Sequence, residues 1–367
     1  MIGPTGAPVP CAVLGGSGYV AGELLRLLSG HPFLSVEAVV SESRAGAPIA
    51  ETFPHLRGLA LGGARFAAPE ELARRLDSVP TLALFSALPH GEAAARIDAL
   101  LGEAEASGCE LTVVDLSADF RHRDPAIYES IYGQPHAAPA RLPEFHCALP
   151  EHAPAGPLPG GARHVAHPGC FTTAAVLALA PLVANGLIEG PASVVAVTGS
   201  TGAGRTPGAT THHPERRSDL FAYAPFAHRH EPEMRALLAA VAPDAESDPE
   251  IAFLPHSGPF ARGIHATITA ALADRAAGTE LVAAFRSFHE ASRSTFVHLL
   301  DGPPRLQSVV GTNRCDLFVS ARDGRVAVFA AIDNLVKGAA GGAVQWMNRL
   351  LGRPERSGLE LPGPGWL

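Results

Sequence analysis

A short apolar run at residues 11–14 breaks into Gly15, Gly16, Ser17 and Gly18, and residues 23–28 continue with helical spacing until His31-Pro32. This strand, glycine turn and helix constrains the fold strongly, because a strand that feeds a helix must return to its sheet by a crossover. Strand-like runs recur at 36–40, 82–87 and 111–116, with helical segments near 69–76 and 91–101 between them. Strands alternating with helices predict an α/β fold, a Rossmann-type doubly wound parallel sheet covered on both faces. Each strand after the first ends in small or polar residues, where ligands of such sheets bind.

Gly15, Gly18 and Ala21 have three-residue spacing, and residues 16–21 also fit the form G-x-G-x-x-A. Glycines there let the backbone approach a pyrophosphate while the helix N-terminus supplies N–H donors. Gly15, Ser17, Gly18, Tyr19 and Val20 are therefore candidate dinucleotide contacts, joined by Leu88 and Pro89 after a later strand. After the second strand, Glu42 stands where an acid would hold the ribose hydroxyls of NAD. Ser41, Ser43 and Arg44 suit the extra phosphate of NADP, and NADP is the expected cofactor.

The second chemical feature is Pro168-Gly169-Cys170, directly before an apolar helical stretch at 174–183. A thiol at a helix N-terminus meets unpaired N–H groups and the positive end of the helix dipole, which favour the thiolate. Cys170 is the candidate nucleophile. The five cysteines are scattered and contain no C-x-x-C pair, so neither a disulfide framework nor a zinc ribbon is indicated. A nucleophilic thiol on a chain with a dinucleotide turn points to redox chemistry at the aldehyde level.

Residues 135–161 are rich in Pro, Ala and Gly and read as a crossover between domains. Beyond Cys170, strand-like runs at 193–198, 250–254, 265–271, 317–320 and 326–331 follow with fewer helices between them, one at 279–290. They predict a mixed or antiparallel sheet in a second, α+β domain for substrate binding and oligomerisation. The expected division is 1–166 for the dinucleotide domain, 167–332 for the second domain, and 333–367 for a tail whose helix, near 338–351, returns to the first.

Several polar residues of the second half are site candidates. The loop at 199–205 offers backbone donors, Ser200, Gly202 and the Arg205 guanidinium, a kit for phosphate or carboxylate; Arg121 and Arg262 are further anion-binding candidates. His228 or His230 could exchange a proton with a substrate oxygen near neutral pH. The histidines at 212, 213, 228 and 230 lack the H-E-x-x-H arrangement, and no metal is expected.

The net charge of −8 and the absence of a dense Lys/Arg run exclude general nucleic-acid binding. No long apolar stretch suggests a membrane span, residues 1–10 lack the pattern of a leader peptide, and a cytoplasmic location is expected.

Taken together, residues 15–24, 87–91, 115–121, 168–173, 202–205, 228–234, 262–264 and 332–338 resemble the N-acetyl-gamma-glutamyl-phosphate reductases, relatives of the aspartate-semialdehyde dehydrogenases. The resemblance implies NADPH-dependent reduction of a small acyl phosphate to its semialdehyde through a Cys170 thioester. It further implies protonation by His230 or His228, an anion clamp at Arg205, Asn334 near the nicotinamide, and a homodimer or homotetramer. Gly169 stands where aspartate-semialdehyde dehydrogenases carry Asn, and Phe171-Thr172 where many family members have Tyr-Pro. Residues 211–216, Thr-His-His-Pro-Glu-Arg, resemble instead a sister reductase acting on aminoadipyl phosphate attached to a small acidic carrier protein. That is the alternative reading of the substrate, and only there is a carrier protein a partner. A non-catalytic NADP-sensing regulator is the competitor from another class.

Overall fold

The computed structural model describes residues 7–153, 156–244, 248–276, 280–292 and 294–365. The leader-peptide reading falls partly on residues 1–6, and the helix expected from 279 starts on a residue that also lies outside the described ones. Two compact units are formed, one drawn from Met1–Ala148, Ala155–His167 and Ala340–Glu360, the other from Leu149–Pro154, Pro168–Ala339 and Leu361–Leu367.

The first unit holds a six-stranded sheet of β1 (Val9–Leu14), β2 (Leu34–Val40), β3 (Thr81–Ser86), β4 (Glu110–Asp115), β5 (Phe145–Cys147) and β6 (His164–Ala166). The order is β2-β1-β3-β4-β6-β5 and every pairing is parallel. The helices Tyr19–Leu28, Pro69–Leu76 and Ala93–Ser107 alternate with the strands, as the periodicity predicts. Ala93–Ser107 is rich in Ala and Leu and stops at Gly108, whose φ of 76° suits the left-handed cap. Central strands are buried on both faces, with Val13, Ala83, Phe85, Val113 and Val114 inaccessible to solvent. β5, inside the Pro/Gly-rich crossover, and β6, just after it, have three residues each, too short for a period to show. The helix Gly341–Leu350 packs on β4 and on Tyr19–Leu28, and buried Trp346 donates Nε1–H to the Ala148 carbonyl at 2.9 Å.

The second unit carries a seven-stranded mixed sheet ordered β11-β12-β13-β10-β7-β9-β8. Its strands are β7 (Ile188–Thr198), β8 (Phe221–Ala222), β9 (Ile251–Ser257), β10 (Ile264–Leu272), β11 (Val297–Leu299), β12 (Cys315–Arg322) and β13 (Arg325–Ile332). The pairs β7/β9 and β11/β12 are parallel and the rest antiparallel. Burial alternates along β7, so one sheet face is core. Against that face lies the helix Cys170–Ala184, buried on all sides from Phe171 to Leu182 and packed on β7, β10, β12, β13 and the helix Glu231–Val241. A helix apolar all round can sit only in a core, and this one carries Cys170 as its first residue.

Burial lowers the pKa values of His152, His164 and His289 to about 4. Between their ordinary pKa of 6.5 and about 4, the unfolded chain binds protons that the folded chain does not, so stability is lost as pH falls through this window. Asp115, pushed up to about 6 by burial, works in the opposite sense, since its contribution is lost as pH rises through about 6; it is outnumbered. The melting temperature is expected to decline from pH 7 towards pH 4.5. A scan that stayed flat or rose on acidification would contradict these burials.

Candidate active site

In the first unit, the chain leaves β1 towards β2 on one side and returns to β3 on the other, so the carboxyl ends of β1 and β3 form the switch point where ligands of such sheets bind. Gly15 lies there at φ 69°, and a Cβ on it would come within 2.5 Å of the Ala87 carbonyl oxygen, so only glycine lets the two strand ends meet. Gly16 is pressed on Val39 in the same way. At Gly18, the N-cap of Tyr19–Leu28, a Cβ would meet only the Gly15 oxygen at 3.9 Å. Open space above a helix N-terminus is the shape a pyrophosphate requires, and this chain's residues fit a dinucleotide.

Around that turn, Ser17 and Ser41 have hydroxyls 3.4 Å apart. Tyr19 is exposed, Val20 and Leu88 are half-buried, and Pro89 is exposed. Ser43 and Arg44 are exposed on a 3-10 turn, Glu42–Arg44, that follows β2. Glu42 is held by Arg96 at 3.1 Å. The loop after β3 is tied to the loop after β4 by buried Asp119, whose carboxylate accepts N–H bonds from Gly91 and Ala94 at 2.8 and 3.0 Å.

In the second unit, Cys170 is half-buried at the first position of its helix, with Gly169 as N-cap. A Cβ on Gly169 would lie 2.4 Å from Cε1 and Nε2 of His230, so the missing side chain is the room into which the imidazole fits. An Asn at this place would displace His230. Buried Glu233, from the helix that starts just after His230, accepts the Gly169 N–H at 2.6 Å and ties the turn before the thiol to the element bearing His230.

His228 and His230 have different environments. His228 packs edge-on against Phe171, Tyr223 and Phe253, and burial, with Arg229 next to it in the chain, lowers its pKa to about 4. Its Nδ1 accepts the His230 backbone N–H at 3.1 Å. His228 is thus a neutral ring with Nδ1 already engaged. His230 caps the helix Glu231–Val241, and its ring lies 4.7 Å from that of His228.

Residues that sequence reasoning missed complete the surroundings. Burial, with Cys170 adding its charge, pushes the Tyr223 hydroxyl above its ordinary pKa and keeps it protonated. Gly338 abuts Cys170, since a Cβ on it would be 2.6 Å from Cys170 Cβ. Neither residue belongs to a spacing pattern. Glu233 lies in the first turn of its helix, and its bond to Gly169 depends on long-range packing.

The anion-binding candidates divide. In the loop at 199–204, the N–H groups of Ser200, Thr201, Gly202 and Gly204 donate to the carbonyls of Phe260, Ala261, Gly199 and Thr201. Two of these bonds stay within the loop and two reach residues 260 and 261, while the Arg205 side chain is exposed. Arg262 pairs with buried Asp333 at 2.8 Å. Asn334 accepts the Gly263 N–H at 2.7 Å and donates to Thr201 at 3.1 Å, which holds the loop to β10 and β13. Arg121, in the first unit, is buried and donates to the main-chain oxygens of His167 and Leu116, both at 3.0 Å, bracing the backbone just before Pro168. Among the described residues, no group of three His, Cys, Asp or Glu is placed to hold a metal, and no helix is long and apolar enough to cross a membrane.

Comparison with known proteins agrees with this geometry. Residues 10–151 match the family described as semialdehyde dehydrogenase, NAD binding domain, and residues 170–334 match semialdehyde dehydrogenase, dimerisation domain. The chain is 40% identical to the N-acetyl-gamma-glutamyl-phosphate reductase of Rubrobacter xylanophilus over 95% of its length and 97% of that protein's. It is 37% identical to a putative [LysW]-L-2-aminoadipate/[LysW]-L-glutamate phosphate reductase of Aeropyrum pernix, over 96% of this chain and 98% of the other. Its fold is shared with the aspartate-semialdehyde dehydrogenase of Candida albicans solved with NADP, at a TM-score of 0.64 and 17% identity over 94% of this chain and 99% of that one. With a glycine turn at a helix start in one unit, a cysteine at a helix start after a glycine that adjoins His230 in the other, and relatives of this identity along nearly the whole chain, the protein belongs to the N-acetyl-gamma-glutamyl-phosphate reductase family of semialdehyde dehydrogenases.

Proposed function

We propose that this chain reduces N-acetyl-gamma-glutamyl phosphate to N-acetylglutamate 5-semialdehyde and phosphate, in the arginine biosynthesis of the cytoplasm, using NADPH and a thioester on Cys170. The observation that carries the chemistry is the fit of His230 into the space beside Gly169, which sets an imidazole next to the nucleophile's turn. The substrate follows from the relatives named as reductases of that acyl phosphate.

The thiolate of Cys170 attacks the acyl carbonyl, the bond to the phosphate oxygen breaks, and phosphate leaves. The nicotinamide cofactor, when bound, supplies hydride for reduction of the resulting thioester. N–H groups in the first turn of Cys170–Ala184, at Phe171 and Thr172, face no intrahelical acceptor and stabilise negative charge on the substrate oxygen. His230 protonates that oxygen and takes the proton back as the carbon–sulfur bond breaks and the semialdehyde leaves. His228, kept neutral, orients His230 through its backbone N–H. Arg205 and Ser200 hold substrate anions. Ser41, Ser43 and Arg44 hold the cofactor's extra phosphate, consistent with Glu42 being engaged by Arg96. A second copy of the chain covers the outer face of the mixed sheet, where Phe318, Phe329 and Val195 are only half-buried.

Cys170→Ala is expected to lower turnover by roughly a thousandfold or more. His230→Asn is expected to cost on the order of a hundredfold in kcat and to remove one limb of the pH profile. His228→Asn, which keeps an acceptor for the His230 N–H, should retain that limb and lose about tenfold or less. Near-normal turnover in Cys170→Ala would end the covalent scheme, and equal pH profiles for the two histidine variants would end the division of roles.

Arg44→Ala is expected to raise the KM for NADPH by about tenfold while leaving that for NADH nearly unchanged, because only the former carries the phosphate that a guanidinium grips. Parallel increases for both cofactors would place the 2′-phosphate elsewhere.

The competing substrate is a carrier-linked aminoadipyl phosphate, in line with residues 211–216 and the Aeropyrum pernix relative. In this chain, that segment borders a concavity of about 760 Å³ whose lining includes His212 with the carboxylates Glu215 and Asp219, and the net charge of −8 disfavours an acidic carrier. The reverse reaction decides: NADP reduction with phosphate and either free N-acetylglutamate semialdehyde or the aminoadipate analogue, free and carrier-linked. Activity with the acetylated compound is expected, and activity confined to the carrier-linked one would move the enzyme to lysine biosynthesis.

A further inference from the structure

We propose that the buried ion pair between Lys337 and Glu151 is a positioning device for the Cys170 thiol, acting through the backbone of Gly338. It rests on the reading of Cys170 as the nucleophile. Both side chains are inaccessible to solvent, and Lys337 Nζ bonds Glu151 Oε1. The ammonium also lies 5.7 Å from the centre of the Phe296 ring. Nearby His152 and His289 are held neutral by burial, so Lys337 is the cation that balances Glu151 in this pocket.

A buried ion pair is costly to desolvate and adds little net stability over apolar side chains of similar volume. What it does supply is a fixed position, because neither charge can move away from its partner without a large penalty. The two partners come from distant stretches of chain. Glu151 lies in the short turn Pro150–His152, and Lys337 in the π-helical segment Val336–Ala340. Segments of π-helix in proteins occur frequently at functional sites.

The residue following Lys337 is the one that touches the nucleophile. A Cβ at Gly338 would stand 2.6 Å from Cys170 Cβ and 3.0 Å from its Cα, so the Gly338 backbone forms a wall against the thiol-bearing residue. On the other side of Lys337, Asp333 accepts the N–H groups of Leu335 and Val336 at 2.8 and 3.1 Å through its carboxylate, and its carbonyl accepts the Gly338 N–H at 3.0 Å. The wall is thus clamped by Asp333 on one flank and by the Lys337–Glu151 pair on the other. Without the pair, one of the two clamps is lost and the wall can shift on Cys170.

Two full-length variants test this. Glu151→Leu with Lys337→Met removes both charges at similar volume, and Gly338→Ala alters the wall while leaving the pair intact. Three quantities are read: the thermal midpoint, the rate of iodoacetamide alkylation at Cys170 followed by peptide mass spectrometry across pH in the absence of substrate and cofactor, and kcat and KM. The double variant is expected to fold with a midpoint near that of the parent. Its alkylation rate at Cys170 and its kcat should change by roughly tenfold or more, since displacements of about 1 Å in an active site have effects of that order. Its affinity for NADPH should be unchanged, and Gly338→Ala should show the same pattern.

Parent-like alkylation and kcat in either variant would overturn the proposal, as would a double variant that cannot fold, which would make the pair a core element. Failure of the underlying reading is distinguishable, because it shows as turnover in Cys170→Ala whatever these variants do.

Discussion

The burial of a helix with no polar face is the constraint on which the second unit depends. Cys170–Ala184 cannot be solvated on any side, so the mixed sheet, the helix Glu231–Val241 and the strand ends must close around it. Its N-terminus is then the part of the helix that can carry chemistry, because the first N–H groups lack partners and the thiol is the first side chain. A terminus held by a fully packed helix is rigid, which suits the nucleophilic role proposed for Cys170.

Close approaches are made at positions where a side chain would not fit. Gly15 lets β1 and β3 meet at the switch point, Gly169 admits the His230 ring, and Gly338 lies against Cys170. Of these only Gly15 has the backbone conformation that favours glycine; at Gly169, with φ −64°, the requirement is space. In this chain a side chain at position 169 would compete with an imidazole for the same volume.

Buried polar groups carry most of the remaining geometry. Asp119, Glu233, Asp333 and the Lys337–Glu151 pair each join loops that are distant in sequence, and each accepts or donates at main-chain or side-chain partners that would otherwise be unsatisfied. Arg121 and Arg262, expected at the substrate, and Asn334, expected near the nicotinamide, make bonds of the same kind. A guanidinium near a glycine loop and a guanidinium bracing a carbonyl look alike in a sequence, since both are an arginine among small residues.

What the sequence alone determined was the local and periodic part: the alternating strands and helices of the first unit, the glycine turn at a helix start, the Pro-Gly-Cys turn before an apolar helix, and a strand-rich second half. These are legible because period, turn residues and caps act over a few neighbours. Tertiary structure decided the rest. It inserted the short strands β5 and β6, brought residues 149–154 into the second unit, distinguished His228 from His230 by burial and by the bond at Nδ1, and set Tyr223, Glu233 and Gly338 around the cysteine. Each of these depends on contacts between segments far apart in the chain, and desolvation in particular is a property of everything packed around a group, which no local pattern records.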